Sequence, residues 1–237
     1  MRKIKNLVRR LIGLNNETDY YSQAGEDAIL SNIFNYVLPT DRGFYVDVGA
    51  YHPFKHSNTY LLYRAGWRGI NIDPRPGSKA LFDKHRPGDT NLELGVAAEE
   101  GKMTYYMIDE GSTMNSFSKE NLEALEMFDK VTEKIEIPVR KLSSILTEYR
   151  EQAEVDYLNI DAEGYELEIL GELTNSAIKP SVVSVEQNGP LTLSDVLASE
   201  TEAFFSKLGY TPIAKNLILP RVSTVFYVRN DLIESFV

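Results

Sequence analysis

The chain has no cysteine. A disulfide framework and any thiolate metal site are therefore excluded, and the composition fits a reducing compartment. No run of 18 or more apolar residues occurs, so no membrane-spanning helix is expected. Basic residues are outnumbered, with 25 Lys and Arg against 35 Asp and Glu and a net charge of −10. That balance argues against a broad nucleic-acid footprint. What remains is ordinary for a globular α/β protein: 237 residues, 43% hydrophobic and 25% charged.

The scarce positive charge is unevenly placed. "MRKIKNLVRRLIGL" holds Arg2, Lys3, Lys5, Arg9 and Arg10 and no acid. The other 20 basic residues face all 35 acids, a balance of −15. Ile4, Leu7, Val8, Leu11 and Ile12 recur at helical spacing, but no apolar h-region with a small-residue cleavage site follows. Residues 1–18 are read as a basic amphipathic helix and residues 19–237 as one domain. The helix either packs on its own domain or reaches an anionic membrane surface or a glycan-assembly partner. The expected location is cytoplasmic, with peripheral attachment at the inner face of the membrane.

Along the domain, strand-like and helix-like segments alternate. "SQAGEDAILSNIFNYV" reads as one capped helix, begun by Ser22 or Gly25. Core strands are expected at 44–48, at "WRGINIDP", "TNLELGVAA" and "VDYLNID", and at "PSVVSVEQN". "EGYELEILGEL" is expected to follow the fourth strand at once as a helix. "KIEIPVRKL" reads as a short edge strand because Pro138 cannot donate to a ladder. "SDVLASETEAFFSKLG" reads as one helix, and "TPIAKNLIL" with "STVFYVR" as a terminal antiparallel hairpin. The implied architecture is α/β, a mostly parallel sheet with helices on both faces.

In such a sheet ligands bind beyond the carboxyl ends of the strands. Four core strands end on or beside an acid: "DVGA", "NID", "NIDAEG" and "VEQN". Acids there also cap following helices, but four together suggest one polar pocket. Gly49 and Ala50 remove bulk where a ligand would approach the first strand. "GAYHPF" is neither G-x-G-x-x-G nor a P-loop, so no pyrophosphate is expected on a helix N-terminus. Asp73, 24 residues after Gly49, stands where an acid holds ribose hydroxyls. A cationic nucleoside without phosphate suits these residues, and S-adenosylmethionine is one.

The blocks "YSQAGEDAIL", "FYVDVGAYHPFKHSNTYLLYRAGWRGINIDP", "STMNSFS", "VDYLNIDAEGYELEIL" and "PSVVSVEQ" together resemble the FkbM-type family of S-adenosylmethionine-dependent methyltransferases over residues 20–190. The resemblance implies a Rossmann-like class I methyltransferase fold, a seven-stranded sheet whose last strand is antiparallel. It implies O-methylation of a sugar hydroxyl in a glycan or precursor, or of a small natural product. A nucleoside-binding interaction module without catalysis is the reading from another class. By the resemblance, Asp47 and Gly49 line the methionine end of the cofactor, with polar contacts from Ser22, Gln23 and Asn58. Asp73 takes the ribose, and Asp161 lies between cofactor and acceptor. Ser22, Gln23 and Asn58 are also readable as helix caps. Where the wider family has Asn-x-Gly after "DVGA", this chain has Tyr51, His52 and Pro53.

A sugar hydroxyl is a weak nucleophile whose proton must leave, so a base or a metal is useful. His52, at the mouth of the first strand, is the first choice of base. Glu163 and Glu186 are rivals, and His56 and His85 are less well placed. Asp161 and Glu186, with Gln187 or Asn188, would suit Mg²⁺ or Mn²⁺. The least regular segments, 101–140 and 188–200, are expected to carry acceptor specificity.

Overall fold

The computed structural model describes residues 19–150, 153–174, 178–189, 192–218 and 222–233. The basic segment 1–14 and the boundary set at residue 18 lie outside them. Among the described residues no helix is long and apolar enough to cross a membrane.

The described residues open with α1 (Glu26–Asn32), then β1 (Phe44–Val48), α2 (Tyr60–Arg64), β2 (Arg68–Ile72), α3 (Ser78–His85) and β3 (Thr90–Leu92). A smaller unit follows: β4 (Gly95–Val96), β5 (Gly101–Met107), α4 (Lys119–Ala124) and β6 (Glu133–Arg140). The chain then resumes with α5 (Leu142–Tyr149), β7 (Tyr157–Ile160), α6 (Glu166–Gly171), β8 (Val182–Asn188), α7 (Leu193–Leu197) and α8 (Glu200–Lys207). The last described elements are β9 (Tyr210–Lys215), β10 (Val222–Arg229) and α9 (Asn230–Ile233).

Among the described residues seven strands form the main sheet in the order β3-β2-β1-β7-β8-β10-β9. β10 runs antiparallel to both its neighbours, and the other pairings are parallel. This is the sheet the resemblance implied. Strand order reverses between β1 and β7, which opens a crevice beyond their carboxyl ends.

Parallel strands covered on both faces should be apolar throughout. One face obeys: Val46, Val48, Ile70, Leu158, Ile160 and Val183 pack against Leu142, Ile145 and Ile169 of the helices. The other face has an apolar cluster around Tyr45, Tyr157, Leu30 and Trp67, but it also carries a polar row. Register places Asn91, Asn71, Asp47, Asn159 and Ser184 side by side across β3, β2, β1, β7 and β8. Three of the four neighbouring pairs in the row are bonded to each other. The Asn71 amide donates to Asn91 Oδ1 at 2.8 Å, Asn159 to Asp47 Oδ1 at 2.9 Å, and Ser184 to Asn159 Oδ1 at 2.6 Å. Buried polar groups are tolerated when they satisfy one another in this way.

Five expectations change in detail. "TNLELGVAA" is two strands: β3 in the main sheet and β4 in a second sheet ordered β4-β6-β5. β6 is therefore central rather than an edge. Pro138 is tolerated because β4 pairs only with Val139 and Arg140, one residue later, which leaves one side of Pro138 open. The first helix gives way to a π-helical turn at Ile33–Val37. "SDVLASETEAFFSKLG" is two helices, because Ser199 caps the second by accepting the Glu202 amide. A loop over 161–165 separates β7 from α6.

Candidate functional site

Two residues beyond Asn71, Asp47, Asn159 and Ser184 of the polar row stand Asp73, Gly49, Asp161 and Glu186, at or near the carboxyl ends of β2, β1, β7 and β8. They border a cavity of about 250 Å³ at the switch point. Its other walls come from the loops after β1 (Tyr51, His56) and β7 (Glu163, Tyr165), and from 112–117 of the smaller unit.

Gly49 has φ 79°, and a Cβ there would lie 1.7 Å from the Asp161 carbonyl oxygen. Its missing side chain lets β1 and β7 converge, so it serves the backbone as well as any ligand. Gly49→Ala is expected to destabilise the protein by roughly 2–4 kcal/mol, through clash and strained φ together. Urea denaturation checks this, and an unchanged midpoint would contradict it.

Asp73 is buried beside Tyr51 and Arg75. It accepts the Tyr51 amide at 2.8 Å and the Arg75 amide at 3.0 Å, with the Arg75 guanidinium 3.7 Å away. Burial pushes its carboxyl up to about 6 against the pull of Arg75. Arg75 also stacks 4.7 Å over the Tyr51 ring and donates to the Tyr51 carbonyl, while the Tyr51 hydroxyl donates to Gly111 O at 2.9 Å. The loop after β1 is thereby tied to the smaller unit.

Asp161, Glu163 and Glu186 converge, with one oxygen from each within 4.8 Å of the others. All three keep partial exposure to the cavity, yet all are pushed well above the usual carboxylate range. Burial is the main cause. Mutual repulsion adds to it: Glu186 acts on Asp161, Asp161 on Glu163, and Glu163 on Glu186. Their loop is built from both sides. Glu166 accepts the amides of Ala162 at 2.9 Å and Gly164 at 3.1 Å, and the Glu163 carbonyl accepts Ser116 Oγ at 2.7 Å and Asn121 Nδ2 at 2.9 Å. Ser116 belongs to "STMNSFS", whose place in the chain is thereby explained. Tyr51, His56 and Glu163, all on the cavity wall, are three of the four non-glycine residues with positive φ among those described. Strain of that kind collects at functional sites.

The structure brings Gln23, Gly49, Asp73, Asp161, Glu163 and Glu186 to one cavity. Seven other candidates, Asp47, Ala50, Ser22, Asn58, His52, His85 and Gln187, do not line it. Asp47 is buried in the polar row, accepting Thr59 Oγ1 at 2.6 Å as well as Asn159, and so supports the site from below. Ala50 is buried behind the wall, its amide bonded to Ile72 O at 3.1 Å. Ser22 spends its hydroxyl on Asp27 Oδ1 at 2.6 Å. Asn58 neither caps a helix nor meets the cavity; its amide donates to Asn159 Oδ1 at 3.1 Å.

His52 is the main correction. A tight turn, closed by its amide on Ala50 O at 2.6 Å, carries it off the wall. Nδ1 accepts the amides of Phe54 and Lys55 at 3.3 and 3.2 Å, which fixes the ring with its proton on Nε2 and removes its basic lone pair. Burial, then Arg75 and Lys55, push its pKa down as well. His56 takes the wall position instead. For the suggested metal set, Gln187 is also displaced: by strand alternation it faces away from Glu186, and its amide meets the Tyr227 hydroxyl at 3.1 Å. Glu163, which had been read as a base alone, joins the oxygen cluster, and Asn188 lies on the wall. Sequence reasoning missed Tyr51, Arg75 and Ser116. Arg75, two residues past Asp73 in "IDPRPG", was the one with a usable signal.

Residues 47–212 match the model of the methyltransferase FkbM domain. No curated protein matches the chain significantly. Solved structures resemble it at low identity. A TehB-like SAM-dependent methyltransferase from Corynebacterium glutamicum is 10% identical with TM-score 0.44, covering 96% of this chain and 97% of that one. A 1,6-didemethyltoxoflavin-N1-methyltransferase from Burkholderia thailandensis, solved with 1,6-didemethyltoxoflavin and S-adenosylhomocysteine, is 10% identical with TM-score 0.46, covering 97% and 88%.

Proposed function

The chain belongs to the FkbM methyltransferase family, and from that premise we propose that it moves a methyl group from S-adenosylmethionine to a sugar hydroxyl of a glycan or glycan precursor. The observation that carries this reading is the row Asp73, Gly49, Asp161 and Glu186 at the switch point, with Glu163 beside it. An acidic, partly enclosed cavity favours a cationic ligand over a phosphorylated one. S-adenosylmethionine would supply a methyl on a sulfonium, which needs no covalent help from the protein.

The residues divide the work. Asp73 retains acceptor capacity for ribose hydroxyls while its remaining lone pairs hold the Tyr51 and Arg75 amides. Asp161, Glu163 and Glu186 ionise at a cost so close together, so they hold protons above the usual carboxylate range and share them. An ionised member accepts the proton of the acceptor hydroxyl, and protonated members donate hydrogen bonds to neighbouring hydroxyls. Methyl arrival at oxygen and proton arrival at the carboxylate together remove one positive and one negative charge. A site of low dielectric favours such a step. A sugar fits the need for a neutral acceptor with several hydroxyls.

The test is a screen of nucleotide sugars and glycan fragments with labelled methyl donor, beside calorimetry with S-adenosylhomocysteine. Asp73→Ala is expected to weaken S-adenosylhomocysteine by roughly 1.5–3 kcal/mol, the scale of a hydrogen bond to a charged group. Failure of the unmodified protein to bind either ligand would remove the reading.

The three oxygens also carry a second reading, a site for Mg²⁺ or Mn²⁺, which take hard oxygen ligands. Turnover lost to a chelator and restored by either ion would favour it. Turnover indifferent to chelation leaves the carboxyls as the acid–base group alone.

A further inference from the structure

Arg86 ends α3 and turns its whole side chain inward, where it is 0% exposed. A buried guanidinium is expensive unless its donors are used. Here Nε donates to Pro53 O at 2.7 Å, Nη1 to Thr59 Oγ1 at 2.8 Å and Asn71 Oδ1 at 3.0 Å, and Nη2 to Ser57 Oγ at 2.6 Å. The rings of Tyr60, Tyr63 and Phe82 lie 5.3–5.5 Å away. Among the described residues no carboxylate is within ion-pair distance of it. Its charge acts on Asp47 and Asp89 through space, but its hydrogen bonds reach them only through neutral intermediaries. Thr59 passes a hydrogen bond on to Asp47 Oδ2 at 2.6 Å, and Asn71 passes one to Asp89 Oδ2 at 3.0 Å.

Three of those contacts, Pro53 O, Ser57 Oγ and Thr59 Oγ1, lie on the segment between β1 and α2. That segment presents Tyr51 and His56 to the cavity, each with φ 54°. Left-handed backbone at a tyrosine and a histidine persists only when surrounding structure over-determines it. We propose that Arg86 is a positioning residue for the methyl donor: it clamps residues 53–57 from behind, so that Tyr51 and His56 form the cavity wall, and it fixes Thr59 against Asp47 beneath Gly49. A lysine keeps the charge but offers one nitrogen, which cannot span the Pro53, Ser57, Thr59 and Asn71 oxygens together. Packing alone would not require the guanidinium fork.

The inference rests on the donor-binding reading above, so the unmodified protein's affinity for S-adenosylhomocysteine is measured first; no binding there defeats that reading rather than this one. Arg86→Lys and Ser57→Ala are then compared by calorimetry, steady-state kinetics and amide hydrogen exchange over residues 51–58. In Arg86→Lys, affinity for S-adenosylhomocysteine is expected to fall about tenfold or more, the scale of lost charge-assisted bonds. The KM for donor should rise in step, kcat at saturating donor should stay within about threefold, and exchange over the loop should accelerate. Ser57→Ala, which removes one small contact, should show the same pattern at about threefold. It decides the matter by itself if Arg86→Lys does not fold. Unchanged affinity and unchanged loop exchange in folded variants would overturn the proposal. So would a loss confined to kcat.

Discussion

Glu186→Gln is expected to lower turnover by roughly 10²–10⁴-fold, the range for removal of a general base, with affinity for S-adenosylhomocysteine nearly unchanged. Asp161→Asn and Glu163→Gln should act similarly, because the three carboxyls share their protons and any neutral replacement changes the set. Glu186 is the strongest single charge acting on Asp161. Its loss lets Asp161 ionise at lower pH, so the acid limb of the rate profile should move to lower pH in Glu186→Gln. The double variant Glu186→Gln with Glu163→Gln should be little worse than either single one, as expected of groups acting as a unit. Steady-state kinetics across pH 5 to 9 on an accepted glycan fragment checks all three points. Full activity in each single variant would show that the cluster takes no part in proton removal.

Much of the frame was legible in the chain because local and global signals agree there. β1, β2, β7 and β8 are short apolar runs ended by an acid or a glycine, and the reversal of strand order puts those ends together. Asp73 and Asp161 could be placed from that alone. What failed depended on contacts distant in sequence or on turns. His52 looked poised because it lies four residues after Val48, but the turn at Ala50 sends it away from the mouth. Asp47 looked like a ligand because an acid in an apolar strand needs a reason. The reason is a belt reaching Asn159, 112 residues later, and Thr59. The belt itself was visible only as isolated asparagines in "NID" and "LNID", and nothing at Arg86 marks it as buried. β3 and β4 read as one strand because "TNLELGVAA" has no Gly-Pro or Asn-Gly break, whereas the structure changes sheet within it.

The ligand-free protein should lose stability as pH rises from about 4 toward neutrality, against the usual trend for an acidic chain. The direction follows from Asp73. Its carboxyl titrates near 3.8 when exposed and at about 6 in the fold, so the folded state holds the extra proton between these values. Stability from this group is fully present below about 4 and is lost as pH rises through about 6. A shift of that size is worth about 3 kcal/mol, as an order of magnitude. Asp161, Glu163 and Glu186 are displaced in the same direction by burial and mutual repulsion and steepen the decline. His52 and the exposed acids Asp83, Glu100, Glu148 and Asp231, pushed down, work the other way, but the buried carboxyls Asp47, Asp89 and Glu166 are pushed up as well. Urea denaturation from pH 4.5 to 8 measures the slope. Asp73→Asn should make the slope between about pH 4 and 6 shallower by Asp73's own share, because an amide does not titrate, and leave the share of the cluster in place. The cost of holding these acids close together is relieved by a cationic ligand. Stabilisation by S-adenosylmethionine should therefore grow with pH, and more steeply than stabilisation by neutral-sulfur S-adenosylhomocysteine. A ligand-free protein whose stability is flat or rising between pH 5 and 7 would mean that these carboxyls are ionised in the fold without penalty. Proton sharing in the Asp161, Glu163 and Glu186 cluster would then have to be given up.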